Sequence, residues 1–174
     1  MKRIVIPIFI LLLIIIISCN RQEEVSRHYE PLRHYENQIG DTHFIKHVDD
    51  PHFKFCDSTD VLHKRAFVGY KRGGMRAIYE DIYDNYVYQK TYATFSGYLI
   101  VRFAVNCHDE SGRFRLQTVD LDFNLSEPPK ALSQHIISIV KSLKGWKHPL
   151  YDNKDYDGYK FLTIKVQNGQ IQKL

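Results

Sequence analysis

The chain has 174 residues, 44% hydrophobic and 13% aromatic, with a formal net charge of +4. This length suits one domain with a core of its own. So small a charge, with no dense Lys/Arg patch, does not imply nucleic acid, and none is expected as a partner.

The first nineteen residues run Met1-Lys2-Arg3, an apolar stretch from Ile4 to Ile17, then Ser18-Cys19. Fourteen apolar residues make about 21 Å of helix. A bilayer core needs about 30 Å, and Pro7 weakens the helix further. The length therefore favours a cleaved leader over a spanning helix. The cationic start, the apolar stretch and the Ile16-Ile17-Ser18-Cys19 ending together resemble a bacterial lipoprotein signal with its lipobox. The resemblance implies that residues 1–18 are removed and that Cys19 carries lipid. It places the chain on a membrane of the bacterial cell envelope, the outer membrane in preference, facing periplasm or cell surface. Removing residues 1–18 from the 174 leaves 156. Lys2 and Arg3 go with the leader, so the net charge falls from +4 to about +2.

Residues 19–40 read as a lipidated tether. Arg21-Gln22-Glu23-Glu24 is charged, and the tetrad Arg-His-Tyr-Glu occurs at 27–30 and again at 33–36. Two such copies do not make a repeat architecture. Residues 41–70 form an N-terminal extension of uncertain structure. Phe44-Ile45 and Phe53-Lys54-Phe55 suggest short strands, with a turn at Asp49-Asp50-Pro51.

Residues 71–174 form the legible domain. Met75, Ile78, Tyr79, Ile82, Tyr83 and Tyr86 share one helical face, opposite Arg76, Glu80, Asp81 and Asp84. Tyr98 to Val105 alternates as a strand, with Leu99, Val101, Phe103 and Val105 on one side. A polar hairpin loop at 106–112 leads to a return strand from Phe114 to Phe123. The alternation of that strand changes phase, which predicts a bulge near Gln117-Thr118. Pro128-Pro129 opens a second helix. Its buried face is Leu132, Ile136, Ile139, Val140 and Leu143, and Gly145 serves as its C-terminal cap. Tyr159 to Val166 is a third strand. Asn168-Gly169 then turns the chain so that Ile171 folds back as a short last strand. The expected fold is α+β: a small antiparallel sheet of about three strands with two helices on one face.

Cys56 and Cys107 would sit in a compartment where disulfides persist. Joined, they close a loop of about 50 residues, worth roughly 4 kcal/mol on the chain-entropy model. Two free or buried thiols are the alternative.

Several segments in order resemble the C-terminal domain family of TonB, the bacterial energy transducer. These are Gly73-Gly74 before the first helix, Gly97 to Val105, Gly112 in the hairpin, the Leu132 to Leu143 helix, Leu143-Lys144-Gly145-Trp146-Lys147-His148-Pro149, and Gly158-Tyr159-Lys160-Phe161-Leu162. The resemblance covers about residues 70–167. It implies a non-catalytic protein-binding module that adds a partner segment as a strand at a sheet edge, with a link to TonB-dependent transport. An outer-membrane receptor or another envelope protein is the implied partner, besides the membrane reached through the lipid. The implied contacts are Tyr159, Phe161, Leu162, Thr163 and Ile164 on the last long strand, and Trp146 nearby. Two departures argue against energy transduction itself. The stretch Tyr86-Val87-Tyr88-Gln89 lacks the family's Tyr-Pro pair, and a lipid anchor does not replace a spanning helix with a long Pro-rich spacer.

Two other functions compete with this one. His28, His34, His43, His47, His52 and His63 cluster before the domain, so a metal-binding or metal-dependent envelope protein is the first. No H-E-x-x-H pattern is present and strands splay these residues apart, so no metal ligand is assigned. The second is a structural adaptor lipoprotein. No G-x-S-x-G elbow, phosphate loop or dinucleotide fingerprint occurs, so neither an enzyme nor a cofactor is expected.

Overall fold

The structure, a computed structural model, describes residues 44–62 and 67–173. Its centre is strand β2, Gly97–Val105. Leu99, Val101, Phe103 and Val105 are fully buried on one face, while Tyr98, Ile100 and Arg102 are half-buried on the other. Alternation at this strictness marks a sheet with a single core face. Strand β3, Ser111–Asp120, pairs antiparallel with one side of β2. A later strand, Gly158–Gln167, pairs antiparallel with the other side, where Leu99 faces Ile164 and Val101 faces Leu162. Leu162, Ile164 and Val166 thus extend the apolar stripe, and all three are buried.

Two helices cover that stripe. Helix α1, Gly74–Asn85, follows Gly73 in a left-handed conformation and buries Ala77, Ile78 and Ile82. It has no side-chain cap and no acidic residue in its first turn, so packing rather than capping holds it. Its half-buried tyrosines add a second fastening. Tyr79 donates to the Thr163 carbonyl, Tyr83 to that of Gln172, and Tyr86 to that of Gly169. The rings of Tyr79 and Tyr86 rest on the apolar core and Tyr83 stacks on Tyr79, while each hydroxyl satisfies a carbonyl. Helix α2, Lys130–Ser142, begins after Pro129 and buries Leu132, Ile136, Ile139 and Val140. Full burial of each such aliphatic side chain contributes about 1.5–3 kcal/mol.

After α2 come three two-residue strands: β4, Trp146–Lys147, β5, Leu150–Tyr151, and β6, Lys154–Asp155. The long strand Gly158–Gln167 is β7, and β8 is Gln170–Ile171. The main sheet runs β3-β2-β7-β8. Strand β4 pairs with β1, Gly69–Tyr70, and β5 pairs with β6. The fold is α+β as expected, with four strands in the main sheet and two extra ribbons instead of about three strands in all. Two-residue ribbons carry no periodicity, so the pattern could not announce them. The β7–β8 turn has Asn168 at φ 49 and Gly169 at φ 74, the pair of left-handed residues that a tight hairpin demands.

Three local expectations are corrected. The bulge lies in β3, where Arg113 and Phe114 oppose the single residue Phe103 between the pairs Arg102–Arg115 and Ala104–Gly112, with Arg113 at φ 58, and not at Gln117-Thr118. The apolar residues taken as a phase change have another cause. Val119 is covered through its bridge to Leu125, and Phe123, beyond the end of β3, stacks on Tyr98 at 5.2 Å. The second correction concerns residues 44–55, which form turns and irregular chain instead of strands. Their aromatics act as single plugs. Phe53 lies against Gly112, where an added Cβ would sit 2.2 Å from the ring. Phe55 meets Tyr159 edge-on at 6.0 Å, and Arg113 lies over Phe44 at 4.5 Å. The third is the end of α2, where Leu143, in an extended conformation, is the cap. Gly145, at φ 105, instead turns the chain so that its carbonyl accepts the Lys71 amide.

Candidate functional site

The residues implied as partner contacts divide between two environments. Leu162 and Ile164 are 1% exposed and Trp146 is 2% exposed. All three belong to the core, which corrects their assignment to a partner surface. Trp146 lies 4.6 Å from Tyr70 and 4.8 Å from Phe103, ring centre to ring centre. Strand alternation places Tyr159, Phe161, Thr163 and Lys165 on the opposite face, away from the helices. Phe161 is 62% exposed. Tyr159 is occupied by Phe55 and by Arg102, whose guanidinium lies 4.6 Å from the ring centre.

The outer edge of β7 is closed at both ends. At one end the Tyr159 amide donates to the Leu62 carbonyl and Leu62 forms a parallel bridge with Gly158. At the other, the Gln172 amide donates to the Lys165 carbonyl, and β8 covers Val166 and Gln167. Both closures use odd-numbered residues, so Phe161 and Thr163 also aim their backbone groups outward. The Thr163 carbonyl accepts Tyr79 Oη at 3.1 Å. The Phe161 amide and carbonyl and the Thr163 amide have no backbone partner among the described residues. Residues 63–66, which follow Leu62, are not among these. The candidate surface is thus a short window of edge with an exposed phenyl ring at its centre. Phe123, 72% exposed on its stack with Tyr98, and Leu125, 57% exposed, lie beyond the end of β3, on the other side of β2 from this window.

A second group of polar side chains gathers around the 106–110 loop. His148 is bonded to Asp109 through Nδ1 at 2.7 Å and to Asp155 through Nε2 at 2.9 Å, and Lys147 Nζ lies 2.6 Å from Asp109. Burial disfavours the imidazolium, but the two carboxylates outweigh it and raise the His148 pKa above its ordinary value. Beside it, residues 48–50, 52–53, 109–114, 141 and 143–145 line an open cleft of about 570 Å³. Arg113, Lys141 and Lys144 share that lining with Asp49, Asp50, Asp109 and Glu110. Such mixed charge lacks the single-sign field that concentrates an ionic ligand.

Of the six histidines read as a cluster, His47 and His52 are described, and both are exposed. His28, His34, His43 and His63 lie outside the described residues, as does Cys19. Among the described residues, the three metal-capable side chains that come together are Cys56, Cys107 and His108. Cys56 and Cys107 form a disulfide. The adjacency of His108 to a cysteine was visible in the sequence; the buried Asp157 beneath them was not, since a lone acid in a polar loop carries no pattern. No protein family, curated protein or solved structure matches the chain.

Proposed function

We propose that the chain is a lipid-anchored, non-catalytic protein-binding module of the bacterial cell envelope. It takes an extended partner segment at the β7 edge, as the resemblance to the TonB C-terminal domain family implies, and a link to TonB-dependent transport follows from the same resemblance. The observation that carries this reading is the exposed Phe161 on a stretch of β7 whose outward amides have no backbone partner among the described residues. Unpaired edge groups invite a partner strand. An apolar side chain amid them supplies the specificity that backbone pairing lacks.

A photo-crosslinking residue at position 161 of the full chain in its native envelope tests this. It is expected to give one discrete protein adduct, which the same probe at exposed Val87 does not give. Thr163→Pro is expected to abolish the adduct while leaving the fold intact, because the lost amide points away from β2. An adduct unchanged by proline would overturn strand addition.

The anchor rests on the order of Lys2-Arg3, the apolar stretch and Cys19. Cys19→Ser is expected to leave the precursor uncleaved and unlabelled by radioactive palmitate. A variant that matures to the wild-type size defeats the lipoprotein assignment.

A further inference from the structure

The disulfide between Cys56 and Cys107 lies at the surface. Cys56 is exposed and Cys107 half-buried. Next to them, Nδ1 of His108 lies 3.8 Å from the Cys107 sulfur. The two sulfurs and a ring nitrogen of His108 all fall within 4.8 Å of one another.

Two buried polar residues hold this arrangement from below. Asp157 is 2% exposed. Its Oδ2 accepts the Asp57 amide at 2.8 Å and its Oδ1 accepts the Cys107 amide at 2.9 Å. Asn106, also 2% exposed, donates through Nδ2 to the Lys54 carbonyl and to Glu110, and its Oδ1 accepts the amides of His108 and Glu110. A buried carboxylate or amide must find partners. Here the partners are mostly backbone groups on the two segments that carry the sulfurs. Neither set of bonds uses the sulfur–sulfur bond, so both remain available to hold the two segments when it is cleaved.

We propose that reduction of this disulfide creates a binding site for Zn(II). The ligands are the thiolates of Cys56 and Cys107 and Nδ1 of His108, with water in the fourth position. A dithiol reductant delivers two electrons and two protons to the Cys56–Cys107 bond and itself becomes a disulfide. The two thiols then release their protons as they bind the cation. Tetrahedral zinc with Zn–S of about 2.3 Å and Zn–N of about 2.0 Å sets sulfur and nitrogen about 3.5 Å apart and the two sulfurs about 3.8 Å apart. The nitrogen is already within a few tenths of an ångström of that spacing from the Cys107 sulfur. The sulfurs must part and the Cys56 sulfur must swing toward His108, and the exposed Cys56 side chain has room to turn. In the oxidised form the sulfurs are bonded to each other and no thiolate is present, so the site is switched by redox state. It is separate from the β7 edge and does not depend on partner binding.

The test uses the untagged full chain in detergent, stripped of metal and treated with a phosphine reductant that does not compete for zinc. Zn(II) is titrated against a chromophoric chelator, and Co(II) serves as a spectroscopic substitute. The reduced protein is expected to take up one more equivalent than either the oxidised protein or a Cys56→Ser/Cys107→Ser variant, which retains Cys19. The cobalt form is expected to show a thiolate-to-metal charge-transfer band. Losing a supporting group around a metal costs tenfold or more in affinity. His108→Ala, which removes a ligand outright, is therefore expected to weaken zinc binding at least about tenfold. Equal uptake by the reduced, oxidised and double-variant proteins would overturn the proposal, as would unchanged affinity in His108→Ala. Loss of the native circular dichroism on reduction would overturn it as well, because Asp157 and Asn106 would then not be holding the donors in place.

Discussion

Replacing Trp146 by alanine is expected to lower the unfolding free energy by about 3–5 kcal/mol, the range for removing a large aromatic from a packed core. For a domain of this size that corresponds to a fall in melting temperature of roughly 10–20 °C. The indole is 2% exposed. It fills the space between Tyr70 and Phe103, and its strand β4 is the partner of β1. Truncation therefore opens a cavity and loosens the ribbon that joins the start of α1 to the end of α2. The indole Nε1 is buried without a hydrogen-bond partner among the described residues. Trp146→Phe keeps much of the packing and removes that orphaned donor. It is expected to cost less than about 1.5 kcal/mol. Urea denaturation of the two variants measures the contrast. A Trp146→Ala protein as stable as wild type, with only partner capture impaired, would return the residue to the partner surface and contradict its place in the core.

The misplacement of Trp146, Leu162 and Ile164 shows where sequence reading stops. Alternation in Tyr159 to Val166 groups Leu162 with Ile164 and Phe161 with Thr163, and the structure keeps that grouping. It does not say which group meets the helices. That depends on the pairing with β2, where Leu99 and Val101 stand opposite Ile164 and Leu162. The face of α2, most of that of α1 and the Asn168-Gly169 turn were legible because each is specified within a few neighbouring residues; Met75, expected on the apolar face of α1, is instead 43% exposed, and Ala77 is buried there. The packing of residues 44–62 was not legible, because its contacts reach across about a third to a half of the chain. Phe53 against Gly112, Cys56 to Cys107 and Leu62 beside Gly158 leave no local pattern. The edge of β7 was named as the candidate site before its limits were visible. The closure by Leu62 and β8 and the hydroxyl of Tyr79 reduce it to the stretch around Phe161.

Residue 49 shows the same limit on a charged group, and with a large energy attached. Asp49-Asp50-Pro51 reads as a turn, with no sign of burial, and the Asp49 side chain is 2% exposed and faces Arg115 at 3%. The guanidinium and carboxylate meet through two parallel bonds, Nη1 to Oδ1 at 2.7 Å and Nη2 to Oδ2 at 2.8 Å. Oδ2 also accepts the Ile45 amide at 2.8 Å and lies 3.3 Å from Nη1 of Arg113. Asp49→Asn keeps the shape and removes the charge, leaving the Arg115 cation buried without its counterion. Breaking such a pair from one side is expected to cost about 3–5 kcal/mol. Replacing both partners, as in Asp49→Leu/Arg115→Met, is expected to recover most of that loss, since two apolar side chains carry no desolvation penalty. The acid dependence follows from the same contacts. Burial alone would raise the carboxyl pKa, but the bonds from Arg115, Ile45 and Arg113 outweigh it and hold the group below its ordinary value of 3.8. A carboxylate depressed in the folded state contributes stability above its unfolded pKa, and loses it as pH falls through the folded one. The gap between wild type and Asp49→Asn in urea unfolding is therefore expected to hold constant from pH 7 to about pH 5. It should close only as the pH drops below the ordinary carboxylate range. A gap under about 1 kcal/mol at pH 7, the worth of an exposed pair, would show that Asp49 is a surface acid after all. A gap that persists unchanged at the acid end would show that the charge on Asp49 is not what holds residues 44–50 to β3.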